Sequence, residues 1–166
     1  MFIPVEVVGV RIEMPSNQPI VLLKELDGSR FLPIWVGAVE ATAIAFAQQG
    51  LEPTRPLTHD LIRDIFDSAD IFLTAVHITD LRDGVFYAEL QLRASAGELP
   101  ALSARPSDAI AIALRTSSNI LVDSDLLDRA GIEIPEQSSG GSEAQDGELE
   151  AFREFLDQIN PEDFAG

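Results

Sequence analysis

Two short stretches hold most of the residues able to do chemistry: "RPLTHD" at 55–60 and "RPSD" at 105–108. Each sets an arginine and a proline ahead of a hydroxyl residue and an aspartate, and an apolar run follows. Ser and Thr are preferred at helix N-caps, Asp suits a first turn, and Pro is common just ahead of one. Pro56, Thr58, Asp60, Pro106, Ser107 and Asp108 are therefore explained as two helix starts. Arg55 and Arg105 are not required by capping. An arginine beside a helix N-terminus adds a guanidinium fork to unsatisfied backbone donors, a pairing that holds phosphate or carboxylate. Two readings stay open. Each arginine pairs with its own aspartate (Arg55 with Asp60, Arg105 with Asp108), or the two stretches are halves of one anion site.

With no cysteine and two histidines, few other candidates exist. His77, in "TAVHITD", lies mid-strand, where a histidine is usually a packed residue. With Thr58 as N-cap, His59 and Asp60 occupy the first two helical positions, beside unsatisfied N–H groups. The helix dipole there favours a neutral imidazole able to accept a proton. Glu40 opens an Ala-rich run directly after "IWVG", with no charge nearby. It either complements a helix dipole or belongs to a site. The chain has no Gly-rich phosphate loop, HExxH, nucleophile elbow or EF-hand spacing, and no basic stripe with interleaved aromatics.

These residues need elements to position them. Val- and Ile-rich runs predict strands at 2–14, 19–26 and 30–37, with Asp27-Gly28 as a hairpin signal. "AVEATAIAFAQQ" (38–49) predicts a helix ended by Gly50 in a left-handed turn. "THDLIRDIFDSA" (58–69) predicts a helix with Leu61, Ile62, Ile65 and Phe66 on one face. Strands at 70–81 and 85–94 join at "RDG", and the alternation of "ELQLRA" turns one face of that hairpin to solvent. A short strand at 99–104, a buried helix at 107–117, a strand at 119–123 and a helix at 124–131 closed by Gly131 complete the domain. The expected class is α+β: a mixed, largely antiparallel sheet built from hairpins, with three to four packed helices.

At 166 residues the chain suits one domain able to build a core without disulfides or metal clips. The expected organisation is a domain at 1–135, a flexible linker at 136–148 and an acidic tail at 149–166. Leu149, Phe152, Leu156 and Ile159 form a stripe on a short amphipathic helix in that tail, which calls for a partner surface. The net charge is −17, and nine of the 28 acids lie beyond residue 135. Such a charge repels nucleic acid and anionic membrane. "MFIPVEVVGV" lacks the basic start of a signal peptide, and no apolar run is long enough to span a bilayer. The expectation is a cytoplasmic protein without a membrane partner. A sheet edge or apolar helix face needing cover leads us to expect a homodimer or higher homo-oligomer.

Four segments taken in order resemble the bifunctional nuclease domain family: "FLPIWVGAVEATAIA" (31–45), "RPLTHDLI" (55–62), "LSARPSDAIAIALR" (102–115) and "LDRAGI" (127–132). The resemblance extends over about residues 2–135. It implies hydrolysis of phosphodiester bonds in both DNA and RNA, with weak, sequence-independent binding of either. The polar residues carried by these segments are Glu40, Arg55, Thr58, His59, Asp60, Arg105, Ser107 and Asp108. Phosphodiester cleavage needs charge offset on the phosphate, an activated nucleophile and in-line geometry. On that footing Arg55 and Arg105, with Thr58 and Ser107, are expected to bind the scissile phosphate. His59 is expected to be general base, with Glu40, Asp60 and Asp108 catalytic and holding Mg²⁺ or another divalent cation. The alternative is a non-enzymatic ligand-binding or protein-interaction domain with an anion site at helix N-termini.

Overall fold

The computed structural model describes residues 1–134. The linker at 136–148 and the amphipathic helix in the tail lie outside the described residues. Three antiparallel strands open the chain: β1 (Phe2–Glu13), β2 (Gln18–Glu25) and β3 (Arg30–Trp35). Helices α1 (Ala38–Gln48) and α2 (Thr58–Ser68) follow, then the hairpin β4 (Phe72–Arg82) and β5 (Val85–Ala94). Short strands β6 (Gly97–Glu98) and β7 (Leu102–Ala104) lead to α3 (Pro106–Thr116), β8 (Asn119–Asp123), α4 (Ser124–Ala130) and β9 (Ile132–Glu133).

The strands join in one sheet of order β6-β5-β4-β8-β1-β2-β3-β9, with β7 also on β5. Only β8 on β4 is parallel; every other pair is antiparallel. A parallel pair needs a crossover, and α3 supplies it on the way to β8. The α+β class with a mixed, largely antiparallel sheet is therefore the observed one. Among the described residues no helix is long and apolar enough to cross a membrane.

Local chemistry explains most elements. Asp83 and Gly84 both have positive φ, 51° and 76°, and Arg82 faces Val85 across them. That is the two-residue hairpin turn whose twist suits the strands. Gly50, at φ 64°, ends α1 in the left-handed conformation a glycine adopts without strain. β5 buries Phe86, Ala88, Leu90 and Leu92 and turns the alternate positions outward. Of the strand expected at 99–104 only Leu102–Ala104 forms, as β7, while β6 lies just before that range; both pair with β5.

α3 is the central helix. It packs on α1, α2, β4, β5 and β8, and Ala109 to Ala113 are all buried. Small alanines let the helix approach its neighbours, while Ile110 and Ile112 fill the core beside Ile44, Val76 and Leu90. α2 departs from expectation. Ile62 and Phe66 pack against the core, but Leu61 and Ile65 point outward, 52% and 53% exposed. An apolar set spanning i, i+1, i+4, i+5 is wider than the contact one neighbouring helix can cover.

Candidate active site at three helix N-termini

α1, α2 and α3 begin with N-caps Gly37, Leu57 and Arg105. Thr58 is therefore the first helical residue rather than the cap, and His59 and Ser107 both stand at the second position. Glu40, Asp60 and Asp108 all stand at the third. A carboxylate there complements the positive end of the helix dipole, by about 0.3–1 kcal/mol each at an exposed site. The hydroxyls do not cap: none of the three N-cap side chains accepts a helix hydrogen bond. At α2 the Asp60 carboxylate instead reaches back, and Oδ2 accepts the Leu57 N–H at 2.9 Å. At α3 the fixed φ of Pro106 favours the first helical position, which moves Ser107 past the cap.

Four of the candidates join into one chain of contacts. Arg105 donates from Nε to Asp108 Oδ2 and from Nη2 to Glu40 Oε1, both at 2.9 Å. The other oxygen of Asp108, Oδ1, lies 2.8 Å from His59 Nε2. Glu40, Arg105, Asp108 and His59 are thus linked across α1, α3 and α2. Burial pushes the Asp108 carboxyl up, but hydrogen bonds from Arg105 and His59 outweigh it and hold the group below the usual carboxylate range. An ionised carboxylate only accepts, so His59 Nε2 carries the hydrogen and donates it. When the ring carries a single hydrogen, its lone pair is then on Nδ1. His59 itself is buried, 6% exposed.

Glu40 is held in place by Gly37. A Cβ on Gly37 would lie 2.3 Å from Glu40 Oε2, so the bare backbone leaves room for the carboxylate to fold over it.

Two candidates stand apart from this chain. Asp60 Oδ1 accepts from Arg115 Nε at 2.7 Å. Arg115 also donates from Nη1 to Ala111 O at 2.9 Å and from Nη2 to Ala43 O at 3.0 Å. One guanidinium therefore ties all three helices, with its side chain 5% exposed. Burial pushes the Asp60 carboxyl up, and the hydrogen bonds from Arg115 and the Leu57 N–H more than offset it, so it too sits below its usual value. Sequence reasoning missed Arg115. The available signal was a lone cation in the otherwise apolar stretch "AIAIALR".

Arg55 does not pair with Asp60. It lies exposed in the loop before α2 and makes no side-chain hydrogen bond or ion pair among the described residues. The expected cation set is not assembled either, since Arg105 holds Glu40 and Asp108 while Arg115 holds Asp60. Among the described residues no three His, Asp or Glu side chains are grouped to hold a metal ion. His77 packs on β1, its ring stacked on Phe2 with centroids 4.0 Å apart. Burial lowers its pKa, against the opposing effect of Glu89.

The bifunctional nuclease domain matches residues 21–135. The chain belongs to the bifunctional nuclease domain family. Its candidate site residues all fall within the matched range, while β1 lies outside it yet forms an inner strand of the same sheet. An uncharacterized protein of Mycobacterium tuberculosis, found in two strains, is 49% identical over 162 residues, 96% of either chain. A protein of Arabidopsis thaliana named as a bifunctional nuclease is 29% identical over 151 residues. That alignment covers 88% of this chain and 45% of the plant protein.

Proposed function

We propose that this family member is a low-specificity nuclease that hydrolyses phosphodiester bonds of DNA and RNA, with His59 as general base. The observation that carries the proposal is the 2.8 Å contact between His59 Nε2 and Asp108 Oδ1. Asp108 fixes the tautomer and leaves Nδ1 as the proton acceptor, and Nδ1 makes no hydrogen bond among the described residues. DNA lacks a 2′-hydroxyl, so a mechanism common to both polymers uses water as nucleophile. Nδ1 takes the proton of that water, and Asp108 offsets the charge the ring acquires, the orienting role of a carboxylate behind a histidine.

Charge on the phosphate is met by Arg105 and Arg55. Two donors of Arg105 are engaged by carboxylates, but its side chain is 66% exposed, and Nη1 has no partner among the described residues. Arg55 is exposed and unpaired among them. Both can turn donors to a non-bridging oxygen as charge builds there. Thr58 and Ser107 stand beside these arginines as hydroxyl donors. A divalent cation enters only as a competitor of Arg105 for Glu40 and Asp108. The substrate is bound weakly and without sequence preference, in keeping with the single lysine.

A second reading, an anion-binding domain without catalysis, is favoured by the burial of His59. One experiment separates the two. Purified protein is incubated with single-stranded RNA and DNA, and His59→Ala is run beside it with its fold checked by circular dichroism. Loss of about 10²–10⁴ in rate supports a general base. Unchanged cleavage in the variant removes His59 from the mechanism, and retained binding without cleavage in the wild type selects the second reading.

To the same proposal belong a cytoplasmic setting and self-association. Leu61 and Ile65, one turn apart on α2, present an apolar strip that a second copy can cover. Sedimentation of Leu61→Lys against the wild type tests it, and an unchanged mass rules that strip out.

A further inference from the structure

The sheet carries two apolar clusters, one on each face. Strand alternation separates them: Val21, Leu23, Leu32 and Ile34 join the core under the helices, while Ile20, Leu22, Phe31 and Trp35 point the other way. Ile132 and Ile134 complete the second cluster. Cross-strand pairs knit it together, Ile20 opposite Trp35 and Phe31 opposite Ile132. All four helices place residues in the first cluster, and none of them contributes to the second.

Yet the second cluster is shielded from water. Ile20 is 0% exposed, and Leu22, Phe31 and Ile134 are 5–7% exposed. A sheet face one side chain deep does not shut its own middle off from solvent; a further layer has to lie over it. Trp35 closes one end, where its Nε1 donates to Glu13 Oε2 at 3.2 Å. Arg11, across from Ile20, and Lys24, with Nζ 5.5 Å from the Phe31 ring centroid, edge the patch with charge. These side chains form a rim. The described strands all lie in the sheet itself, so the layer above comes from elsewhere.

The described chain stops at Ile134, itself a member of the cluster. The sequence continues to Gly166 and carries the apolar stripe Leu149, Phe152, Leu156 and Ile159. We propose that residues 148–159 dock on this face as an amphipathic helix, stripe inward, over Ile20, Leu22, Phe31 and Trp35. A three-turn helix is marginal alone, and this face gives it the surface it needs.

The dimensions agree. Twelve helical residues are about 18 Å long, and β1, β2, β3 and β9 span about 14 Å side by side. Residues 136–148 reach roughly 40 Å when extended, enough to lay the helix in either direction. Tethering favours this segment over a second copy of the chain, since a short linker sets an effective concentration of about millimolar. Glu150, Glu154 and Asp157 fall on the helix face opposite the stripe and stay in water. This side of the sheet lies away from the helix N-termini, so the docking stands whether or not the protein cleaves nucleic acid.

Trp35 is the single tryptophan of the chain, so its emission reports on the cover. In the full chain, Leu156→Asp and Phe152→Asp each put a charge into the stripe, and Gln158→Asp puts the same charge on the opposite helix face. The stripe variants are expected to shift Trp35 emission to longer wavelength, raise its quenching by acrylamide and lower the melting temperature by several degrees. Gln158→Asp should do none of these. Circular dichroism checks the sheet in each variant, and Leu156→Ala, the milder change, is read in place of any that loses it. Unchanged emission and quenching in the stripe variants, or an equal response in Gln158→Asp, overturns the docking. So does wild-type protection of Trp35 that is lost on dilution, which assigns the cover to a second copy.

Discussion

His59 on α2 and Asp108 on α3 stand 2.8 Å apart, Nε2 to Oδ1, from the second position of one helix to the third position of the other. The contact ties imidazole orientation to the packing of two helices. Asp108→Asn keeps the volume and an acceptor oxygen but removes the charge behind the ring. Cleavage is expected to slow by about 10²-fold, with the loss in kcat and little change in KM. A loss confined to KM would move Asp108 from orienting the base to binding the substrate.

Asp60 and Arg115 form the second cross-helix pair, and both are buried. Removing one partner strands a charge in the interior. Asp60→Asn or Arg115→Leu is expected to lower unfolding free energy by about 3–5 kcal/mol, read from urea denaturation at neutral pH. A change within about 1 kcal/mol would show that water reaches the stranded group. Neither side chain hydrogen-bonds to His59 or Asp108, so whatever fraction stays folded should still cleave.

Acid should unfold the domain through these same carboxylates. Asp60 and Asp108 are both held below the ordinary aspartate value. A depressed folded value means the contribution is complete above the unfolded value of about 3.9 and is lost as pH falls through the folded one. Stability is therefore expected to stay level in these two groups from pH 7 to about 5 and to drop below about 4. Chemical denaturation at stepped pH checks this, and Asp60→Asn should flatten the drop. An equally steep drop in that variant would assign acid unfolding to other groups.

Gly37 is required for space rather than for backbone conformation, since its φ is −72°. Gly37→Ala places a methyl group where Glu40 Oε2 lies and pushes Glu40 off Arg105. The stability cost should be small, about 1 kcal/mol or less. Substrate affinity is expected to rise, because Arg105 loses one of two competing carboxylates; KM on RNA and the melting temperature together test it. A higher KM would show that Glu40 positions Arg105 for the phosphate rather than competing for it.

Chelation tests the place of metal. Glu40, Asp60 and Asp108 are each engaged by an arginine, so cleavage is expected to survive millimolar EDTA with less than a twofold change. Abolition by EDTA and recovery with Mg²⁺ would mean that a cation displaces Arg105 from Glu40 and Asp108.

Much of the fold was legible because its causes are local. Asp83-Gly84 closes a hairpin because adjacent left-handed residues match strand twist. α1 ends where Gly50 relieves strain, and α3 is buried because its middle carries no polar side chain. The acidic helix starts were legible for the same reason, although capping lay one position earlier than Thr58 predicted. β9, β6 and the shortening of the 99–104 strand to β7 were not, because such short strands exist only through their partners β3 and β5.

The site divides along the same line. Which residues could do chemistry, Glu40, His59, Arg105 and Asp108 among them, was determined by the sequence, because side-chain type and helix position are local properties. Which of them meet was decided only by tertiary structure. Arg105 reaches Glu40 from 65 residues away and Arg115 reaches Asp60 from 55. A long, flexible guanidinium can serve any carboxylate within its reach, and the packing of α3 against α1 and α2 selects one. That packing gave Asp60 to Arg115, left Arg55 unpaired among the described residues, and set His59 against Asp108.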